Sequence, residues 1–290
     1  MAYTRCRSSL FFTSTSMMND QSSEYKQMWE DFASTKAKNY NAHKFSPVNR
    51  VGLTNFVREE LILRHATSVP HDTILDIGCA SGRQVFALCP HVTRIVGVDI
   101  AQTFIDECNI QKENLGHANT EFFVAGFDSL PEGTFDVVIC GEVLEHVVDL
   151  EGDTDKLCSR VKPGGHVVIT VPHFNADGTW WGRLLRRIGM RHFEPLEHFS
   201  TEEIVKHGDA HIREFSCKRL VHLFQKRGYT VKKLHTVSHL DGPMGDKIIS
   251  AFLERAPSTR RFFIWQEHLL QKLFPKLGRH IVLLAQKSAL

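Results

Sequence analysis

Three short runs carry side chains whose type and spacing can do chemistry. The first is Ile74-Leu75-Asp76-Ile77-Gly78-Cys79-Ala80-Ser81-Gly82. A glycine-rich turn between a strand and a helix lets the backbone approach a ligand closely. The spacing is G-x-x-x-G, not the dinucleotide G-x-G-x-x-G. A pyrophosphate needs several free amides at a helix N-terminus. A zwitterionic amino acid needs only space, a few amides and a carboxylate for its ammonium. Asp76 can hold that ammonium, directly or through water. The second run is Val96-Gly97-Val98-Asp99-Ile100. An acid at that strand end, some 20 residues after the glycine turn, is placed to accept hydrogen bonds from ribose hydroxyls. The third run is Gly141-Glu142-Val143-Leu144-Glu145-His146-Val147. On a helical turn Glu142, Glu145 and His146 fall at i, i+3 and i+4 and share one face. Two carboxylates and an imidazole can hold a divalent cation such as Mg. The further ligand would be His173, Asn175 or His211.

The elements that must position these runs follow from the apolar pattern. From residue 73 short Val/Ile-rich runs alternate with helix-length segments. The runs are Thr73–Ile77, Arg94–Asp99, Thr120–Ala125, Phe135–Cys140 and His166–Val171. Runs of this kind, bounded by Gly, Pro or Asp, fit strands buried on both faces of a parallel sheet. Segments such as Ala101–Leu115 and Leu150–Val161 supply the helices. Repeated βα units predict an α/β, doubly wound sheet. Before it, Tyr25–Ala37 and Gly52–His65 read as helices. After Val171 the rhythm breaks into an insertion at about 172–215. Ser216 then caps a helix running to Lys226, with Gly228 just past its end. Thr230–Thr236 reads as a sixth strand, 237–280 as a second insertion, and Ile281–Gln286 as the last strand.

The strings ILDIGCASG, GVDI, FDVVICGEVLEHV and VKPGGHVVITVP, in that order, resemble the class I methyltransferases that use S-adenosylmethionine (SAM). The resemblance covers about residues 45–236. It implies a seven-stranded sheet of order 3-2-1-4-5-7-6 with the last strand antiparallel, and SAM over the carboxyl ends of the first strands. It implies that Gly78, Ala80 and Gly82 face the methionine part and that Asp99 holds the ribose; Cys79, Ile100 and Cys140 join Asp76 as cofactor-binding candidates. Phe127 would lie against adenine. The family often has an acid where this chain has Gly126, and Asp128 is the candidate substitute. The E-x-x-E-H run resembles the metal motif of ubiquinone-pathway O-methyltransferases and small-RNA 2′-O-methyltransferases. Without a metal, His146 or His173 is the candidate general base and Glu142 faces the cofactor.

The bulk composition narrows the partners. The chain has 290 residues, 42 % hydrophobic, and a formal charge of +2. That gives no electrostatic footprint for nucleic acid. Seven cysteines at irregular spacing, with no C-x-x-C, argue against a disulfide framework or zinc ribbon and for reduced buried thiols. The expected location is cytoplasmic. Residues 1–22 are set aside as a leader: acid-poor and Ser/Arg-rich, they read either as an organelle presequence or as an untidy start before Met17 or Met18. Residues 23–290 then form one domain. Trp180, Trp181, Leu184, Leu185 and Ile188 recur at helical spacing opposite Arg183, Arg186 and Arg187, and 261–273 repeats the flavour. Both segments read as lids, or as an apolar entrance or membrane-surface dock for a lipophilic acceptor. Ser200 with Glu203 makes a capping box. His192, His198, His207 and His211 read as polar lid residues. The leading expectation is O-methylation of a small hydroxyl compound, lipophilic or glycosylated. RNA 2′-O-methylation, N- or C-methylation of a small molecule, and a non-catalytic SAM-binding subunit stay open.

Overall fold

The computed structural model describes residues 14–40, 50–173, 212–213, 215–239 and 251–289. Seven strands form one sheet: β1 Thr73–Ile77, β2 Arg94–Asp99, β3 Thr120–Val124, β4 Phe135–Gly141, β5 Val161–Pro172, β6 Tyr229–Val237 and β7 His280–Lys287. Their order is β3-β2-β1-β4-β5-β7-β6, as the resemblance implies. The first five pair in parallel, and β7 runs antiparallel to both β5 and β6.

The helices are α1 Ser14–Lys36, α2 Arg50–Thr67, α3 Arg83–Leu88, α4 Gln102–Leu115, α5 Leu150–Ser159, α6 Cys217–Gln225 and α7 Arg260–Leu273. Helix α1 reaches back to Ser14, into the segment set aside as a leader. Successive strand side chains point to opposite faces. Leu75, Ile77, Val96, Val98, Val138 and Cys140 therefore pack with Leu157 of α5 and Leu220, Leu223 and Phe224 of α6. Ile74, Ile95, Val137 and Ile139 pack with Ile62 of α2, Val85 and Leu88 of α3, and Ile105 and Cys108 of α4. Fully burying one such aliphatic side chain contributes about 1.5–3 kcal/mol. The same alternation turns Asp76, two residues after Ile74, towards α2.

Ser216 caps α6, its hydroxyl accepting from the Arg219 amide at 3.1 Å, and Gly228 holds φ +79 beyond its end. Cys79, Cys89, Cys108, Cys140 and Cys158 are buried free thiols, as expected of a reduced protein. Among the described residues no helix is long and apolar enough to cross a membrane. The readings made on Trp180, Trp181, Leu184, Leu185 and Ile188, on Ser200 and Glu203, and on Asn175, His192, His198, His207 and His211 lie outside the described residues.

Candidate active site

The turn after β1 is held against β2 by its backbone. The amides of Gly78 and Cys79 both donate to the Val98 carbonyl, at 2.8 and 2.9 Å. Gly78 and Gly82 hold φ +76 and +71, where a side chain would be strained. Both are also sterically closed. A Cβ on Gly78 would strike the Val143 side chain, and one on Gly82 would come within 2.8 Å of the Phe86 ring. Asp99 ties this turn to the next. Its Oδ2 accepts from the Ala80 amide at 2.9 Å and its Oδ1 from the Ala101 amide at 3.0 Å. Each carboxylate oxygen has a second lone pair, so ribose hydroxyls can still be accepted. Burial raises the Asp99 pKa, and the backbone amides of Ala101 and Ala80 pull it back down.

Asp76 is 2 % exposed, and its Oδ2 is buried with no hydrogen-bond donor among the described residues. A lone buried carboxylate is costly and either takes a proton or meets a cation. Burial, reinforced by the Glu59 and Asp99 carboxylates, pushes the Asp76 carboxyl up to about 8. Glu59, on α2, is itself engaged by Arg83 Nε at 3.3 Å. The ammonium of SAM would supply the missing cation, so the residues present fit this cofactor.

The adenine side is partly as expected. Ile100 lies beside Gly126, 3.9 Å from where a Cβ would stand, and Phe127 packs on the core nearby. Asp128 is different. Its carboxylate pairs with Lys156 of α5 at 2.7 Å and is 91 % exposed, so here it faces solvent. Cys140 and Cys79 are side chains of the interior; only their backbone can line the cradle. Burial raises both thiols.

The run after β4 departs from the helical turn that the spacing predicts. Glu142 holds φ +59, and residues 144–146 form a tight turn closed by the His146 amide on the Val143 carbonyl at 2.9 Å. The three side chains therefore do not share a face. Glu142 turns to Arg58 Nη1 at 3.1 Å and to His280 Nε2 at 3.4 Å. Glu145 is fully buried, with one oxygen 3.8 Å from His146 Nε2. Among the described residues no three His, Cys, Asp or Glu side chains stand together as a cation site. A guanidinium already balances Glu142, so this arrangement does not fit the expected metal.

His173 is also committed. Its Nδ1 lies 2.7 Å from the Gly278 carbonyl and its Nε2 3.7 Å from Cys217 Sγ, and it is buried. His146 lies under α1: the Trp29 ring meets its ring edge-on at 5.0 Å, and Tyr25 Oη donates to its carbonyl at 3.0 Å. Burial pushes the Tyr25 phenol up to about 12, so it remains a donor. Both histidines are buried, and each ring has a close neighbour, Trp29 for His146 and Cys217 for His173.

Sequence reasoning missed several participants. Arg58 and Glu59 sit inside the second helix, where no motif marks them. Arg213 donates to the carbonyls of Leu144, Val147 and Val148 and so fixes the turn after β4. His280 had a usable signal. An antiparallel last strand begins at the carboxyl edge of the others, so the residue opening it stands at that edge, here beside Glu142.

Comparison with known proteins agrees with this geometry. A family described as a methyltransferase domain matches residues 42–234. Ubiquinone biosynthesis O-methyltransferases are similar: that of Acinetobacter baylyi is 27 % identical over 148 residues, 50 % of this chain and 61 % of that protein. That of Chromobacterium violaceum is 31 % identical over 135 residues, 46 % of this chain and 56 % of the relative. The chain thus spans little more than half the length of the curated relatives it matches. Among solved structures, the N-methyltransferase NodS of Bradyrhizobium japonicum with S-adenosylhomocysteine (SAH) superposes with a TM-score of 0.55 at 14 % identity, covering 89 % of this chain and 97 % of that one. Magnesium protoporphyrin IX methyltransferase of Synechocystis gives 0.54 at 14 % identity, covering 91 % and 100 %. At such identities the structures speak for the fold alone. Sheet order, glycine turn and the matched domain agree: the chain belongs to the methyltransferase-domain family and is a class I SAM-dependent methyltransferase.

Proposed function

We propose that this enzyme methylates the oxygen of a small hydroxyl acceptor with a large apolar part, taken from a lipid surface. The observation that carries the reading is the outer face of α7. Phe262, Trp265, Leu269 and Leu273 form an exposed stripe on it, with Trp265 58 % and Leu273 59 % exposed, and Phe274 and Leu277 extend it. Exposed apolar patches of this kind mark interaction sites. The inner face of the same helix carries buried Glu267, which accepts from the His239 amide at 3.0 Å and pairs with its ring at 2.8 Å. The stripe therefore lies on the face of α7 away from His239. The likeness to ubiquinone biosynthesis O-methyltransferases supports the choice of oxygen and of a lipophilic acceptor. Nucleic acid is a poor partner for a chain of charge +2.

SAM supplies an activated methyl group; the protein's part is to align the acceptor and exclude water. The test is incubation with methyl-labelled SAM and separate lipid and aqueous extracts of cells. The expected product is an organic-soluble methyl ether, stable to alkali. Label confined to water-soluble amines or to RNA would reject the proposal.

A further inference from the structure

Arg260 opens α7 with its guanidinium over the Phe56 ring of α2, 4.5 Å from the ring centroid. Stacking of this kind fixes the plane of the group and leaves its edge to donate. Its Nε is buried without a hydrogen-bond partner, and no carboxylate pairs with Arg260 among the described residues. Arg83, the first residue of α3, stands nearby with its Nε 3.3 Å from Glu59 Oε1. Phe56 and Glu59 are three residues apart on α2, so they are neighbours on its surface, about 5–6 Å apart at Cβ. The two guanidinium groups therefore reach adjoining positions of α2 from two other helices. Glu60, next along α2, is taken by Arg64 at 2.5 Å and lies 3.5 Å from His268 Nε2.

The charges that open α7 are of one sign. Arg261 follows Arg260, and the first turn of this 14-residue helix has no acid. A helix N-terminus carries a positive partial charge, so cations are unfavourable there and an anion is favoured. Burial, and after it the like charge of Arg83, lowers the pKa of Arg260. A guanidinium keeps its proton all the same. The repulsion is therefore relieved by a bound anion and not by deprotonation.

We propose that Arg260, with Arg83 beside it, binds a phosphate group at the start of α7. The planar fork of N–H donors on one guanidinium matches two phosphate oxygens, and a second guanidinium can serve a third. The group comes either from a phospholipid headgroup or from a soluble phosphate ester, and the chemistry that recognises it is the same. The lipid source fits the outer face of α7, because Phe262 of the exposed stripe lies two residues beyond Arg260. Such a site is independent of which atom the enzyme methylates.

The test uses the full chain and has two arms. Calorimetry with inorganic phosphate and with glycerol 3-phosphate, in chloride buffer, reads the soluble arm. Flotation with phosphatidylcholine vesicles, with and without phosphatidic acid, reads the lipid arm. Arg260→Gln is expected to weaken binding about tenfold or more in whichever arm the wild type binds. Arg260→Lys keeps the charge but loses the fork, and is expected to fall between. Arg261→Gln removes the same charge from an exposed neighbour and is expected to change little. SAH affinity equal to that of the wild type shows that a variant is folded. If Arg260→Gln loses SAH as well, Arg260→Lys decides: phosphate weakened with SAH kept supports the site, and phosphate unchanged refutes it. Binding in the soluble arm alone assigns a soluble ester. Binding to phosphatidic acid vesicles alone, lost in Arg260→Gln, assigns a headgroup. No binding in either arm, or wild-type binding by Arg260→Gln, overturns the site. Equal losses in Arg260→Gln and Arg261→Gln overturn it too, because they would mean diffuse attraction by net charge.

Discussion

Asp99 accepts the amide hydrogen of Ala80 at 2.9 Å, which makes the glycine turn after β1 and the end of β2 one rigid unit. The cradle is therefore present before any ligand enters. Its strength depends on a side chain with two acceptor oxygens, because the Ala101 amide uses the other at 3.0 Å.

Replacing Asp99 with Ala removes the expected ribose acceptor and leaves the Ala80 and Ala101 amides without this partner. Losing a buried acceptor costs about 1–3 kcal/mol. Asp99→Ala should bind SAH at least 100-fold more weakly, a loss of about 2.8 kcal/mol at about 1.4 kcal/mol per tenfold. Urea unfolding should show a lowered midpoint. Asp99→Asn, which keeps one acceptor oxygen, should fall between. Unchanged calorimetric affinity in Asp99→Ala would refute the cradle.

Asp76 gives the site a pH dependence of fixed sign. Its carboxyl titrates at about 8 in the fold, against an ordinary value of 3.8. Between those values the folded chain holds a proton that the unfolded chain has released. The group's contribution to stability therefore falls as pH rises through that window. A ligand ammonium reverses the preference, because an opposite charge favours the carboxylate. SAH binding at pH 7 should thus release a proton. Calorimetry in buffers of different ionisation enthalpy measures that release, and Asp76→Asn should abolish it. Proton uptake by the wild type would show that the carboxyl does not meet the ammonium.

The cradle and the sheet were legible in the sequence because each rests on local chemistry. The limits of β1 and β2 follow from apolar runs ended by Gly or Asp, and Asp76 and Asp99 follow from their place at strand ends. The E-x-x-E-H run was misjudged because a periodic reading assumes helical backbone. Glu142 at φ +59 breaks that assumption, and the cause is distant: Arg58 and Arg213 hold the turn from elsewhere in the chain. Asp128 was displaced for a similar reason, since Lys156 of α5 competes for it. Long-range partners of this kind leave no mark on the spacing of one segment.

Helix α1 straps the two walls of the cradle together. Its Glu30 accepts from the Thr103 amide near the start of α4 at 3.2 Å, while Trp29 and Tyr25 engage His146 after β4. A cofactor held in the cradle would lie under this strap, and its escape would require α1 to lift. Trp29→Ala should speed SAH release about tenfold or more, as expected when a closing element loses an aromatic contact of about 0.5–1.5 kcal/mol beyond its buried area. Stopped-flow competition measures the rate. Amide exchange in 25–36 should slow when SAH binds; equal exchange with and without SAH would mean that α1 does not cover the site.

The outer face of α7 should bind anionic membranes. Beside the apolar stripe, Arg261, Lys272, Lys276 and Arg279 are exposed, and the single acid between 261 and 279, Glu267, is buried. A segment whose described exposed charges are all cationic fits an anionic lipid surface. Vesicles of phosphatidylglycerol mixed with phosphatidylcholine should carry the protein to the top of a flotation gradient. Phosphatidylcholine alone should do so poorly. Raising salt from 0.05 to about 0.5 M should weaken the attraction, because the Debye length shrinks from about 14 to about 4 Å. Trp265 is exposed, so Trp265→Glu leaves the fold intact while placing a charge in the stripe, and it should float far less. A wild type that stays at the bottom of the gradient with anionic vesicles at low salt would rule out membrane docking through α7. The acceptor would then have to reach the site from water.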